Sequence, residues 1–336
     1  MASDYAMAAK ARSLFSQHLT AEQYRIMTNY KDVPSIAAYL KNDTRYAQVL
    51  DGINESSIHR EVLEQKVRIM GQVEFVKLMH YVKVNRVNFF SYYTKRREIE
   101  QILFVLHSIE SGVDHHVNYY IDDINEMLSF DVHKLAELKS FSALHDFLEL
   151  TDYRGVLTGL LDENVDIGKC EYELNAYYQD FFKKLIQKEP SNKDIQDAFN
   201  LEIELKTIGY VYRLKKYYDT PAEDILAMIH YEPYLIPVGR MEKWIRTMNA
   251  EEFLDAFHKS PYGKYVEAPE EVNIELHLNN IRKLIAQHYL RFTTNTNLTM
   301  LSYMTLLSFE IDNIIDVIEG VRYQMNSEEI MKLLTK

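Results

Sequence analysis

The residues of this chain with the most chemical potential are acidic. Asp122, Asp123 and Glu126 fall within five positions. Some all-helical enzymes hold Mg²⁺ and pyrophosphate with such a cluster, because hard cations take oxygen ligands. That chemistry also needs a second acidic motif on a facing helix, and the sequence offers no convincing one. The expected role is an acidic helix start stabilised by the helix dipole, with a Mg²⁺-dependent helical enzyme as an alternative. His115 and His116 follow Asp114. Adjacent histidines point to different helix faces, whereas metal motifs place them at i and i+4, so a polar boundary segment is expected. Glu98, Glu204 and Glu310 recur at a spacing of 106 residues. They would be either three acidic points around a central axis or solvated helix-surface residues. The second reading is favoured because charged side chains are mostly exposed.

Nucleotide chemistry is not expected. No phosphate-binding loop of the Gly-x4-Gly-Lys-Ser/Thr type occurs, and Gly263-Lys264 is followed by Tyr265. No glycine-rich dinucleotide loop and no Gly-x-Ser-x-Gly elbow is present. No cofactor is implied. Lys95-Arg96-Arg97 and Lys215-Lys216 read as solvated faces. Cys170, the one cysteine, reads as a structural thiol and points to a reducing compartment.

The elements that must carry these residues are helical. Of 336 residues only 10 are Gly and 7 Pro, and 47% are hydrophobic. Ile99, Ile102, Leu103 and Leu106 follow the i, i+3, i+4, i+7 stripe of an amphipathic helix, as do Ile311, Ile314, Ile315 and Ile318. Helix starts are expected where a cap residue precedes Glu or Gln by three: Thr20 with Gln23, Thr220 with Glu223, Asn249 with Glu252, Asn326 with Glu329. Pro34 and Pro221 suit a first helical turn. A net charge of -12 argues against nucleic-acid binding. The first 15 residues contain Lys10 and Arg12 and lack the apolar core of a signal peptide. The longest uncharged run, Phe292 to Phe309, has nine Thr, Asn or Ser among its 18 residues and would span a membrane poorly. The expected location is cytoplasmic.

Two landmarks repeat. An aromatic-Leu pair followed by a tyrosine turn occurs at Tyr39-Leu40 with Tyr46, Phe147-Leu148 with Tyr153, and Phe253-Leu254 with Tyr262. The tyrosines lie 107 and 109 residues apart. The glutamates that open the long-helix stripes keep a spacing of 106. Each unit would be a pair of short helices, a turn and two long helices. The expectation is an all-α chain of three diverged repeats of about 106 residues, divided at 1–118, 119–232 and 233–336. Pseudo-threefold geometry, a ring or cup, follows from three copies, with Trp244 anchoring the third.

This pattern resembles the C subunit of the bacterial and archaeal V/A-type rotary ATPases, the counterpart of the d subunit of the eukaryotic V-ATPase. The resemblance spans the chain and is strongest from Glu310 through Asn313, Val317, Ile318 and Gly320 to Glu328, Glu329 and Ile330. Tyr5-Ala6 with Ala11-Arg12 and the segment from Leu19 to Leu50 are also similar. Asp312 stands where that family has Arg, so it inherits no basic contact, and Asn326 stands where the family has Pro. The resemblance implies a funnel-like, non-catalytic rotor component on the cytoplasmic face of the membrane. It would receive the tip of the central stalk (D/F-type subunits) and sit on the proteolipid ring, coupling ATP turnover to H⁺ or Na⁺ transport. A helical scaffold for another partner is the remaining alternative.

Overall fold

A computed structural model describes residues 2–82, 87–112, 122–188, 192–229, 231, 233–265 and 274–336. His115, His116 and the expected repeat boundaries near 118 and 232 lie outside the described residues. Among the described residues there is no strand, and the chain is all-α.

Six long helices dominate. They are α5 (Arg60–Met79), α6 (Val87–Ser111), α10 (Ile167–Gln187), α11 (Asn192–Tyr217), α15 (Ile274–Phe292) and α16 (Thr296–Arg322). Short helices precede each pair. In the first segment these are α2 (Ala21–Thr28), α3 (Val33–Asp43) and α4 (Ala47–Leu50), after an N-terminal α1 (Ala2–Phe15). In the second they are α7 (Asp122–Asn125), α8 (Val132–Ala136) and α9 (Phe141–Leu148). In the third they are α12 (Ala222–Met228), α13 (Val238–Thr247) and α14 (Ala250–His258), and α17 (Ser327–Leu333) closes the chain.

Local chemistry sets the ends. Thr20 with Gln23, Asn249 with Glu252 and Asn326 with Glu329 form reciprocal capping boxes on α2, α14 and α17. Asn326 thus starts α17 through its own side chain where the resembled family uses Pro. Pro34 lies in the first turn of α3. Thr220 makes no such box: Pro221 is itself the N-cap of α12, and it supplies no side-chain hydrogen bond. Gly112, at φ +65°, ends α6 in the left-handed conformation that glycine adopts without a Cβ penalty.

Packing does not follow chain segments. The stripe on α6 (Ile99, Ile102, Leu106) is buried with Leu144, Leu148 and Tyr153 of the second segment. Leu205, Ile208 and Tyr212 of α11 are buried with Trp244, Phe253, Phe257 and Tyr262 of the third. Ile311, Ile314 and Ile318 of α16 are buried with Met27, Ile36, Leu40 and Tyr46 of the first. Each short-helix group therefore rests on the long helix that precedes it, and the first rests on the last. The long helices also make a closed order of contacts: α6 with α10, α10 with α11, α11 with α15, α15 with α16 and α16 with α5. Phe75 of α5 stacks on Tyr93 of α6 with centroids 4.1 Å apart, which completes the circuit.

Candidate functional site: three buried carboxylates and a central cavity

Positions two apart on an α-helix point about 200° from each other. The residues at 98, 204 and 310 and those at 100, 206 and 312 therefore occupy opposite sides of α6, α11 and α16. The first set faces the short helices and the second faces a central cavity.

Glu98, Glu204 and Glu310 are buried, at 2%, 0% and 4% exposure. This corrects the expectation of solvated residues. A carboxylate leaves water only where enough donors replace its hydration, and the neighbouring short-helix group supplies them. Glu98 accepts the Tyr153 hydroxyl at 2.9 Å and the Ser129 amide, and pairs with Lys95 at 2.8 Å. Glu204 accepts the hydroxyls of Tyr262 and Tyr231 and the amides of Tyr234, Leu235 and Ile236. Glu310 accepts the Tyr46 hydroxyl at 3.0 Å and the Leu19 amide at 2.6 Å. Arg45 reaches both Glu310 and Glu74. Burial, then the adjacent carboxylate, pushes the Tyr46, Tyr153 and Tyr262 phenols up, so each remains a donor. The tyrosine and glutamate landmarks are thus partners, and a shared period of about 107 was the signal that linked them.

Beside Glu310 lies His18, with Nδ1 at 3.2 Å from the carboxylate. Burial, then Arg45 and Lys283, lowers its pKa to about 2, so the imidazole is neutral. Lys95, expected on a solvated face, is buried between Glu98 and Asp152. Lys215 turns inward to the carbonyls of Ile245 and Met248, while Lys216 pairs with Glu251 at the surface. Cys170 is buried and burial pushes its thiol up.

The second face lines a cavity of about 930 Å³ walled by all six long helices. Sequence reasoning missed it, because its residues form no motif. Wall positions nevertheless recur: Arg96, Glu202 and Ser308; Glu100, Lys206 and Asp312; Arg68, Asn175 and Arg282. The first two sets keep the spacing of 106 and the third one of 107. The wall is zoned. Tyr93, Phe182, Phe199, Tyr289 and Leu298 lie near the connections between paired long helices. Every charged wall residue stands at least nine positions away from those connections, about 13 Å along a helix. Six basic and five acidic side chains line the wall of a chain whose net charge is -12. Arg282 grips Glu202 with two nitrogens at 2.7 and 2.6 Å, Arg96 donates to Asn175 at 3.2 Å, and Arg68 stands 4.0 Å from Asp312.

Asp122 and Asp123 open α7, and Glu126 just beyond it is exposed. Among the described residues no group of three or more His, Cys, Asp or Glu is placed to hold a metal ion. None of the described helices is long and apolar enough to cross a membrane.

The chain is 22% identical to the C subunit of the A-type ATP synthase from Thermococcus kodakarensis over 292 residues, covering 85% of this chain and 76% of that protein. Residues 7–333 match the profile of the ATP synthase (C/AC39) subunit family. With nearly the whole chain matched, from α1 to α17, this all-helical protein belongs to the ATP synthase (C/AC39) subunit family.

Proposed function

We propose that the protein is a non-catalytic rotor component of a V/A-type ATPase, a socket between the central stalk and the membrane proteolipid ring. The observation that carries this reading is the cavity enclosed by a closed circuit of long helices. Its volume accommodates about two turns of one α-helix, taking a diameter of ~10 Å and a pitch of ~5.4 Å. In this reading the three repeats form a pseudo-threefold funnel, and D/F-type stalk subunits insert into it. The protein then lies on the cytoplasmic face of the membrane without crossing it. Torque passes through shape and charge complementarity at the socket, so that ATP hydrolysis or synthesis is coupled to H⁺ or Na⁺ movement. The buried glutamates act as the pins that keep each short-helix group on the wall.

The test is affinity purification of the tagged chain from its native source, with mass spectrometry of what co-purifies. Head, stalk and proteolipid subunits of one ATPase are expected. Their absence from a preparation in which the chain is folded and soluble would overturn the reading.

A further inference from the structure

The charged belt of the cavity has a property that a uniform threefold socket would not have. At the equivalent wall positions 100, 206 and 312 stand an acid, a base and an acid: Glu100, Lys206 and Asp312. All three reach the cavity, with side-chain exposures of 32%, 56% and 59%. Each also meets an opposite charge of its own wall: Glu100 pairs with Arg97 at 2.8 Å, Lys206 with Glu202 at 3.1 Å and Asp312 with Arg68 at 4.0 Å, so a stalk residue competes with or joins these pairs. One turn away, positions 96, 202 and 308 hold Arg, Glu and Ser. The uncharged zone nearer the connections makes no such distinction of sign. A stalk end seated there would meet three walls of like polarity and would have three registers, 120° apart. The belt above it makes those registers unequal, because a carboxylate that faces Lys206 in one register faces Glu100 or Asp312 in the other two. Like charges brought together at an interface are penalised, and such penalties select among otherwise similar poses.

We infer that the charged belt indexes the socket: it admits its helical stalk partner in a single rotational register, with an acidic residue of the stalk facing Lys206 and basic residues facing Glu100 and Asp312. This inference rests on the rotor reading. It adds that an internally repeated socket is keyed by charge to an asymmetric insert, so that stalk and socket turn without slipping between equivalent seats.

The test uses the full chain with the central-stalk subunits of its own complex. Cys170 is the one native cysteine and is replaced by Ala. One spin label is placed at Leu150→Cys, a position 90% exposed and outside the cavity wall, and one on a single cysteine at the stalk tip. Electron–electron distance measurements then read the register. The otherwise unaltered chain is expected to give one distance, populated at least tenfold over any other. In the key-neutral variant (Glu100→Gln, Lys206→Gln, Asp312→Asn), which removes the three charges assigned to the key and leaves the other wall charges in place, several distances are expected, with stalk affinity falling by less than tenfold. Circular dichroism and thermal melting establish that the variant is folded. Several distances in the unaltered chain, or one unchanged distance in the folded key-neutral variant, would overturn the assignment of the key to Glu100, Lys206 and Asp312 while leaving the socket in place. Absence of stalk binding by the unaltered, folded chain would overturn the rotor reading and the indexing together.

Discussion

Tyr153 and Tyr262 donate to equivalent carboxylates, but removing their hydroxyls has unequal consequences. Glu98 takes its donors from Tyr153, Ser129 and Lys95, so Tyr153→Phe leaves a buried charge short of a partner. Glu204 keeps the Tyr231 hydroxyl and three amides when Tyr262 is replaced. We expect Tyr153→Phe to cost about 2–3 kcal/mol and Tyr262→Phe about 1 kcal/mol, the range between an under-satisfied buried ion and one lost bond among several. Urea denaturation of both variants measures the difference, and equal losses would contradict the donor accounting. His18 yields a pH dependence whose sign is fixed. Its folded pKa lies near 2 against a usual 6.5, so the unfolded chain takes up the proton first. Its contribution is complete above the unfolded value and is lost as pH falls toward the folded one. At pH 5 the loss relative to neutral and higher pH is about 2 kcal/mol, and His18→Gln is expected to remove that part of the acid sensitivity. Of this residue-scale picture the sequence displayed the periodic glutamates and tyrosines but not their burial. Apart from Lys95 on the same helix, the hydroxyl and amide donors of these glutamates come from segments 27 to 291 positions away, so a helix-by-helix reading shows only a charge that ought to be solvated.

Helix-scale order was more legible, because stripes, caps and punctuation are local. The stripes at Ile99 and Ile311, three of the four expected capping boxes and the first-turn Pro34 all stand as their spacing implied. Close approaches between elements were not legible in this way. Gly320 of α16 lies under Ile330 of α17, where an added Cβ would meet the Ile330 side chain at 2.6 Å. Asn313, about two turns earlier (taking 3.6 residues per turn), exchanges two hydrogen bonds with the Thr335 backbone, at 2.8 and 3.0 Å. The C-terminal motif is thus a docking seam that folds the tail back along α16. Arg12 serves a similar end at α15, donating to the carbonyls of Leu290 and Thr293 at 2.8 Å each. We expect Gly320→Ala to destabilise the protein by about 1–3 kcal/mol, the usual cost of forcing an extra methyl into a packed contact. The loss should appear first as faster amide hydrogen exchange across Ser327–Leu333, because α17 is the element displaced. Uniform protection in that segment would mean that Ile330 repacks without cost.

At the scale of the whole molecule, one helix position decides two different outcomes. Residues two apart on α6, α11 and α16 serve opposite sides, so the glutamates hold the short-helix groups while Glu100, Lys206 and Asp312 face the cavity. Stability and partner binding should therefore separate by mutation. Ala198 is the clearest place to try. It lines the uncharged zone on α11 and is only partly buried. On the proposed rotor role, Ala198→Trp is expected to reduce affinity for the central-stalk subunits at least tenfold, because the ring would fill the proposed seat. Its melting temperature should change little, because the added ring projects into an open cavity rather than into a packed core. Tyr153→Phe should do the reverse, lowering the melting temperature while stalk affinity stays within threefold. Isothermal titration with the stalk subunits and thermal melting of both proteins measure the two axes. If Ala198→Trp binds normally, the insert does not reach the uncharged zone and the socket is shallower than its walls allow. If Tyr153→Phe loses binding in proportion to stability, then the short-helix groups shape the cavity directly, and the two faces of the long helices are mechanically one.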